Sequence, residues 1–263
     1  MESSEYMKKS DSQNRKGFFK SWIRKILAIF FLCIVFIVIG MGIYLSNYYH
    51  SNDYNKRTVQ RGIDMVEEKI GRTSFTVFIP QGTMETGLIF YPGGKVEYDS
   101  YVPLMSRLAR KGIFCILIHM PYNIAFFDAN AADGIPEKYP EIKEWYLAGH
   151  SLGGVVAESY LEKNKEDYKG MIYLASYGTK DIHDTNLRVL SIYGDSDQVV
   201  NVDKIKESRD LMPEDYEEHI IEGGNHASFG NYGDQKGDGE SKITPQEQWL
   251  ISADLITQWM ESK

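Results

Sequence analysis

The chain has 263 residues, 43% of them hydrophobic and 25% charged, which is the composition of an ordinary globular protein with one substantial core. Its formal net charge of −8 leaves no net positive field to release counterions from phosphates, which argues against a nucleic-acid partner. Because the two cysteines are Cys33 in an apolar segment and Cys115 in a predicted core strand, we expect neither a disulfide framework nor a thiolate metal site.

The first 45 residues divide into a basic tail and an uncharged run. Residues 1–25 carry seven basic and three acidic side chains, a net charge of +4. Residues 26–45 form a run of twenty without a charge. At a rise of ~1.5 Å per residue, a helix of that length matches the roughly 30 Å hydrocarbon core of a bilayer. The sequence therefore predicts a cytoplasmic tail followed by a single transmembrane anchor.

The competing interpretations of the apolar run are a cleaved signal peptide and a buried core helix. The apolar region of a signal peptide has about 7–15 residues and ends in an A-x-A-like site, whereas residues 40–46 offer no such site. The residues before Cys33 also lack the small side chains of a lipoprotein cleavage site. We therefore favour an uncleaved anchor. Because the basic flank precedes it, the positive-inside rule places the tail in the cytoplasm and everything after Leu45 on the outer face of the cell membrane.

The portion after the anchor is acidic. Subtracting +4 from −8 leaves −12 on residues 46–263, so we expect no adhesion to anionic lipid. Residues 46–70 are rich in Asn, Tyr and charge, which indicates a juxtamembrane stalk and admits a helical turn near Met65. Residues 71–263 are predicted to form one domain.

In that domain, predicted strands alternate with predicted helices. The strands are 74–79, 87–91, 113–118, 145–148, 170–175, 188–193 and 218–222, and the helices are 101–108, 155–162, 203–211 and 245–259. Uninterrupted apolar runs such as 113–118 suit strands that are buried on both faces of a parallel sheet. The alternation predicts an α/β fold with a mostly parallel, doubly wound sheet.

The sequence Gly149-His150-Ser151-Leu152-Gly153 lies where a predicted strand passes directly into a predicted helix. Such a turn forces its central residue into a strained conformation, and very small neighbours let the two arms approach each other. A G-x-S-x-G pentapeptide also occurs by chance in glycine-rich loops. The flanking strand and helix favour a nucleophile elbow with Ser151 at its tip.

A serine nucleophile needs a base, and the base needs an orienting acid. Asp197 and His226 each follow one of the last two predicted strands, and the carboxyl ends of parallel strands meet at one edge of a sheet. Along the chain, the nucleophile Ser151 is followed by the acid Asp197 and then by the base His226, which is the order found in proteins with a nucleophile elbow. Asp195 competes for the acid role, but we expect it to cap the turn after its strand.

Tetrahedral intermediates also need two backbone N–H donors. One is expected from Leu152, directly after the nucleophile. The other is expected from Gly94 or Lys95, in the glycine-rich turn after the strand 87–91, and the sequence does not separate these two.

From about Ser74 to Met260 the chain resembles the α/β-hydrolase superfamily, in its lidless dienelactone-hydrolase-like branch (the fold-5 type). The resemblance is carried by residues 90–96, residues 149–154, Gly194 with Asp197, and residues 223–233 with Gln235 and Asp238. It implies hydrolysis of an ester-like bond through an acyl-enzyme. Dienelactone hydrolases proper use a cysteine nucleophile, whereas this chain has Ser151 at that position.

These features together predict a serine hydrolase for a small or medium carboxylic ester or thioester. The alternatives are an acyltransferase or peptidase with the same triad, or a non-catalytic binding module. No cofactor is expected, and no H-E-x-x-H motif or Cys/His cluster predicts a metal. Residues 178–186 are too few for a cap domain, while residues 121–140 are expected either to form an apolar wall near Ser151 or to pack on the sheet as a short helix.

Overall fold

The computed structural model describes residues 2–54 and 56–262, and the chain divides into two compact units, Met1–Asn47 and Tyr48–Lys263. The first unit contains one helix, α1 (Glu2–Ser46). Its stretch Arg24–Ser46 has 23 residues and a mean hydropathy of 3.2, and none of it is buried. The length and composition of this stretch allow it to span a membrane. A cleavable signal sequence near an N-terminus can have the same length and composition.

The second unit is organised around an eight-stranded sheet with the order β1-β2-β4-β3-β5-β6-β7-β8. The strands are β1 (Ile63–Ile70), β2 (Thr73–Pro80), β3 (Thr86–Tyr91), β4 (Phe114–His119), β5 (Glu144–His150), β6 (Gly170–Leu174), β7 (Arg188–Gly194) and β8 (Tyr216–Ile221). β1 and β2 run antiparallel to their neighbours, and all pairings from β4 to β8 are parallel. The predicted mostly parallel α/β sheet is therefore confirmed.

Helices cover both faces of this sheet. They are α2 (Lys56–Val59), α3 (Val102–Arg110), α4 (Ile135–Lys138), α5 (Leu152–Leu161), α6 (Val202–Ser208) and α7 (Pro245–Glu261). Because side chains alternate along a strand, β3 sends Phe90 into a core with Leu104 and Trp249, and Ile89 into a second core with Val156. The uninterrupted apolar strands thus follow from burial on two faces.

The helical turn expected near Met65 is wrong, because Met65 lies in strand β1 and pairs with Phe78 of β2. β1 is one of the two edge strands of the sheet, and its side chains Glu67 and Lys69 are exposed. Charged side chains on an edge strand discourage pairing with other chains. They also leave β1 without the apolar run from which a strand is predicted in a sequence. The second compact unit accordingly begins at Tyr48, within the residues 46–70 that were interpreted as a stalk.

Candidate active site

The turn between β5 and α5 holds Ser151 in a rare backbone conformation, with φ 51° and ψ −123°. A Cβ atom on Gly149 would lie 2.4 Å from the backbone nitrogen of Gly154, and one on Gly153 would lie 2.2 Å from the carbonyl oxygen of Tyr91. Neither contact is possible for a larger residue, because the obstructing atoms belong to the backbone. The two glycines therefore allow the strand, the helix and the end of β3 to meet around Ser151. A non-glycine residue at such a φ stores about 1–3 kcal/mol of strain.

The structure brings Asp197 and His226 together in a buried pair. The Oδ2 atom of Asp197 lies 2.9 Å from Nδ1 of His226, and the two side chains are 0% and 2% exposed. The second carboxylate oxygen accepts the N–H groups of Val199 and Val200, each at 2.8 Å. Three hydrogen bonds thus fix the carboxylate and, through it, the orientation of the imidazole ring.

Close contact between two neighbouring loops produces this pair. A Cβ atom on Gly194, at the end of β7, would lie 2.1 Å from the carbonyl oxygen of Gly224, which follows β8. Asp195 was expected to cap the turn after its own strand, but its Oδ1 accepts the N–H of Gly223 at 2.8 Å, in the turn after β8, and its side chain stays exposed. Asp195 thus holds the two loops together and Asp197 reaches the histidine.

Ser151 and His226 line a common cavity of about 230 Å³. Its other walls come from the start of α5, from the end of β6 and from the loop after β7: Leu152, Val155, Ala175, Ser176, Tyr177, Val199, Val200 and Asn201. Among these described lining residues there is no lysine, arginine or carboxylate. The cavity is therefore small and lined by neutral side chains and the imidazole of His226. No residue of the segment 121–140 lines it, so the apolar wall expected from that segment is not part of this cavity.

Hydrogen bonds in the turn after β3 distinguish Gly94 from Lys95, the two candidates for the second oxyanion donor. The N–H of Lys95 donates to the carbonyl oxygen of Asn123 at 2.6 Å. In the described part of the chain no acceptor takes the N–H of Gly94 or that of Leu152, the first residue of α5. A Cβ atom on Gly94 would lie 2.8 Å from the Leu152 side chain, so these two residues are in contact. Among the described residues, the N–H groups of Gly94 and Leu152 thus have no acceptor, whereas that of Lys95 is already taken.

His150 contacts the candidate base, which the sequence alone did not suggest. Its side chain is buried, and its ring centroid lies 4.6 Å from that of His226. Burial first, and then the charge of His226, hold the pKa of His150 well below its usual range, so His150 stays neutral. Its Nδ1 lies 2.8 Å from the hydroxyl of Tyr101, which also accepts the N–H of Gly93 at 3.0 Å. Hydrogen bonds through Tyr101 thus connect the glycine turn after β3 to His150, whose ring contacts that of His226.

Asp238 joins the two loops that carry the acid and the base. Its Oδ2 accepts the N–H of Ala227 at 2.8 Å, and its Oδ1 accepts the N–H of Gln198 at 3.3 Å. Each donor directly follows a member of the Asp197–His226 pair in the chain. The only signal for Asp238 in the sequence was its place in the motif that carries the family resemblance.

Many solved structures resemble this fold, and three of them serve as examples. They are a predicted CIB-like hydrolase from Thermoplasma acidophilum (TM-score 0.54, 17% identity, covering 75% of this chain and 100% of that one), TT1662 from Thermus thermophilus (0.57, 15%, 76% and 99%) and Est1E from Butyrivibrio proteoclasticus (0.56, 12%, 74% and 97%). At these identities the likeness concerns the fold alone. No curated protein matches the sequence. The model of the alpha/beta hydrolase family matches residues 87–250, more than half of the chain, and this protein therefore belongs to the alpha/beta hydrolase family.

Proposed function

We propose that this protein is a serine hydrolase that cleaves a small or medium carboxylic ester or thioester through an acyl-enzyme. Ser151 is the nucleophile, His226 the base and Asp197 the acid that orients the base. The observation that carries the proposal is the buried Asp197–His226 pair in a cavity that Ser151 also lines.

The hydrogen bond to Asp197 holds a proton on Nδ1 of His226, so the lone pair lies on Nε2. As the Ser151 oxygen bonds to the carbonyl carbon, its proton passes to Nε2 and the carbonyl oxygen becomes negative. The N–H groups of Leu152 and Gly94 stabilise that oxygen. The carbonyl then re-forms, the bond from its carbon to the leaving oxygen or sulfur breaks, and His226 gives its proton to that leaving group. In the second half, His226 takes a proton from water as the water oxygen bonds to the acyl carbon, and it returns the proton to the Ser151 oxygen when the bond from that oxygen to the acyl carbon breaks.

The cavity favours a short acyl group. Sites for drug-sized ligands have volumes of about 300–1,000 Å³, and this cavity has about 230 Å³. Its apolar walls are Leu152, Val155 and Val200, which suit an uncharged acyl chain, and no lysine or arginine among the described lining residues offers to bind an acidic one.

A fluorophosphonate probe tests the nucleophile. We expect the full chain to be labelled and Ser151→Ala to remain unlabelled, while Ser159→Ala, on α5 but outside the cavity lining, is labelled normally. A panel of esters of graded acyl length should show turnover that declines beyond short chains. Labelling of Ser151→Ala would remove Ser151 from its role, and acyl transfer to an amine or alcohol in preference to water would make the enzyme an acyltransferase.

We also propose that Arg24–Ser46 anchors the protein in the cell membrane with its N-terminus in the cytoplasm and residues 48–262 outside. The basic tail and the length of the apolar stretch support this orientation. Protease added to intact cells should degrade the hydrolase domain, and full protection would reverse the orientation.

A further inference from the structure

One loop on the second unit exposes a group of aromatic side chains. Among the described Phe, Tyr and Trp residues after the apolar helix, those with mainly exposed side chains are Tyr122, Phe126 and Phe127, at 62%, 63% and 54% exposure. All belong to residues 121–128, which we call the aromatic loop. Tyr122 and Phe127 pack edge to face with their ring centroids 5.4 Å apart, so the side chains form one apolar surface.

The loop is held in this form by its own backbone and by the domain. Tyr122 and Asn123 both adopt left-handed conformations, with φ 54° and 56°, although neither is glycine. Thr73 donates a hydrogen bond of 2.6 Å to the carboxylate of Asp128, and Ala125 is buried beneath the loop. Strained residues of this kind cost about 1–3 kcal/mol each and persist where the surrounding structure enforces them. The fold therefore maintains an exposed aromatic surface at a cost in free energy.

The aromatic loop is hydrogen-bonded to the segment where the chain enters the second unit. The N–H of Tyr49 donates to the carbonyl oxygen of Lys95 at 2.7 Å, and the N–H of Glu97 donates to the carbonyl oxygen of Tyr49 at 2.9 Å. Lys95 in turn donates to Asn123 of the aromatic loop. Tyr49 follows the last residue of the apolar helix by three positions, and three extended residues reach about 10 Å. The covalent chain by itself thus limits the distance from Tyr49 to the end of Arg24–Ser46 to about this reach.

We infer that the aromatic loop inserts into the headgroup region of the membrane that holds the anchor, and that the substrate is an ester of a lipophilic alcohol presented by that membrane. This inference rests on the proposed function and on the proposed anchor. Aromatic side chains favour the interface between water and lipid. The net charge of −12 on residues 46–263 excludes attraction to anionic lipid, so insertion is driven by the apolar side chains and is insensitive to salt.

The small cavity and the membrane surface have complementary roles in this arrangement. A short acyl group occupies the cavity of about 230 Å³ at Ser151. The long apolar alcohol remains in the bilayer, beyond Gly94 and Lys95, where the aromatic loop is attached. An ester with a short acyl chain and a lipophilic alcohol fits the cavity with its acyl group while its alcohol chain stays in the bilayer.

Quenching by bromine-labelled lipid tests insertion without reference to activity. The full-length protein is reconstituted into vesicles of phosphatidylcholine whose lipid acyl chains carry bromine. The fluorescence of one added tryptophan is obtained by subtracting the emission of the parent protein from that of the variant. Phe126→Trp should be strongly quenched, equally at low and high salt. The matched control is Glu166→Trp, which should not be quenched. Glu166 is exposed and precedes β6, so it lies at the amino ends of the parallel strands, whereas the aromatic loop follows the carboxyl end of β4. Equal quenching at the two positions would overturn the inference.

A pair of acetate esters tests the substrate class. Hexadecyl acetate dissolved in phosphatidylcholine vesicles and ethyl acetate in solution share their acyl group, and acetate release is measured for both. The double variant of Phe126→Asp and Phe127→Asp should lose at least tenfold in turnover of hexadecyl acetate and retain its turnover of ethyl acetate. Unchanged turnover of hexadecyl acetate would overturn the inference. Loss of fluorophosphonate labelling in the parent chain would instead contradict the proposed function, and the quenching result would still decide insertion.

Discussion

Replacing Asp197 by asparagine separates the two tasks of this carboxylate. Its Oδ1 accepts the N–H groups of Val199 and Val200, and its Oδ2 faces the Nδ1 of His226. In Asp197→Asn the amide oxygen keeps the two N–H groups, which leaves the amide NH₂ facing Nδ1. His226 must then accept at Nδ1 and carry its proton on Nε2, where it cannot take the proton of Ser151.

The magnitude follows from which bonds each variant keeps. A wrong tautomer of the catalytic base lowers kcat by ~10⁴-fold, or about 5.5 kcal/mol in the activation barrier. Asp197→Asn retains the backbone bonds, so its free energy of unfolding should change little. Asp197→Ala should lose as much activity and also leave the N–H of Val200 without a partner. That N–H is buried, and orphaning it costs about 1–3 kcal/mol of stability. The N–H of Val199 is only partly buried and recovers some of its loss from water.

The assay is kcat/KM on p-nitrophenyl acetate with the full chain in detergent micelles, together with the urea midpoint of unfolding. Asp195→Asn is the matched control, because Asp195 is exposed and the asparagine keeps an Oδ1 acceptor for its two donors, the N–H of Gly223 and the hydroxyl of Ser196. It should keep its turnover and its stability to within about 0.5 kcal/mol. Turnover of Asp197→Asn within tenfold of the parent, or a large loss in Asp195→Asn, would refute the assignment of the acid.

Three further predictions concern positions around the site. Gly153→Ala places a methyl group 2.2 Å from the carbonyl oxygen of Tyr91; the strain of overpacking should cost about 1–3 kcal/mol in urea unfolding, and probe labelling should fall with it. Asp238→Ala frees the two loops it joins and should lower kcat by ~10²-fold with KM unchanged on p-nitrophenyl acetate, so a pure change in KM would contradict its role. Burial holds the pKa of His119 at about 4 and that of His150 well below its usual range. Below pH about 6.5, these histidines are therefore protonated in the unfolded chain before they are protonated in the folded chain. The free energy of unfolding should consequently fall as the pH drops below about 6.5. Urea midpoints at pH 5 and 7 measure this fall, which His119→Asn should reduce.

Much of the fold was predictable because its determinants are local. Apolar strand runs such as residues 113–118 and the helical spacing after Ser151 depend on neighbours in the chain, and they predicted the strands and helices of the parallel sheet. The glycines around Ser151 are required by the turn itself. The loops that carry Asp197 and His226 could be expected at one edge, because parallel strands place their carboxyl ends together.

Contacts between distant residues decided the rest. β1 is a strand because it pairs with β2, since its own charged sequence shows no strand run. The N–H of Lys95 is unavailable to a substrate because Asn123, about 28 positions further along, accepts it, so Gly94 is the remaining candidate for the second oxyanion donor. The contact of His150 with His226 likewise depends on how two loops pack. The sequence by itself thus determined the elements, the glycine turn and the order of the candidate triad. Only the tertiary structure decided which backbone donors are already occupied, which side chains meet and which surface remains exposed, because hydrogen bonds and burial between distant segments exist only once the chain has folded.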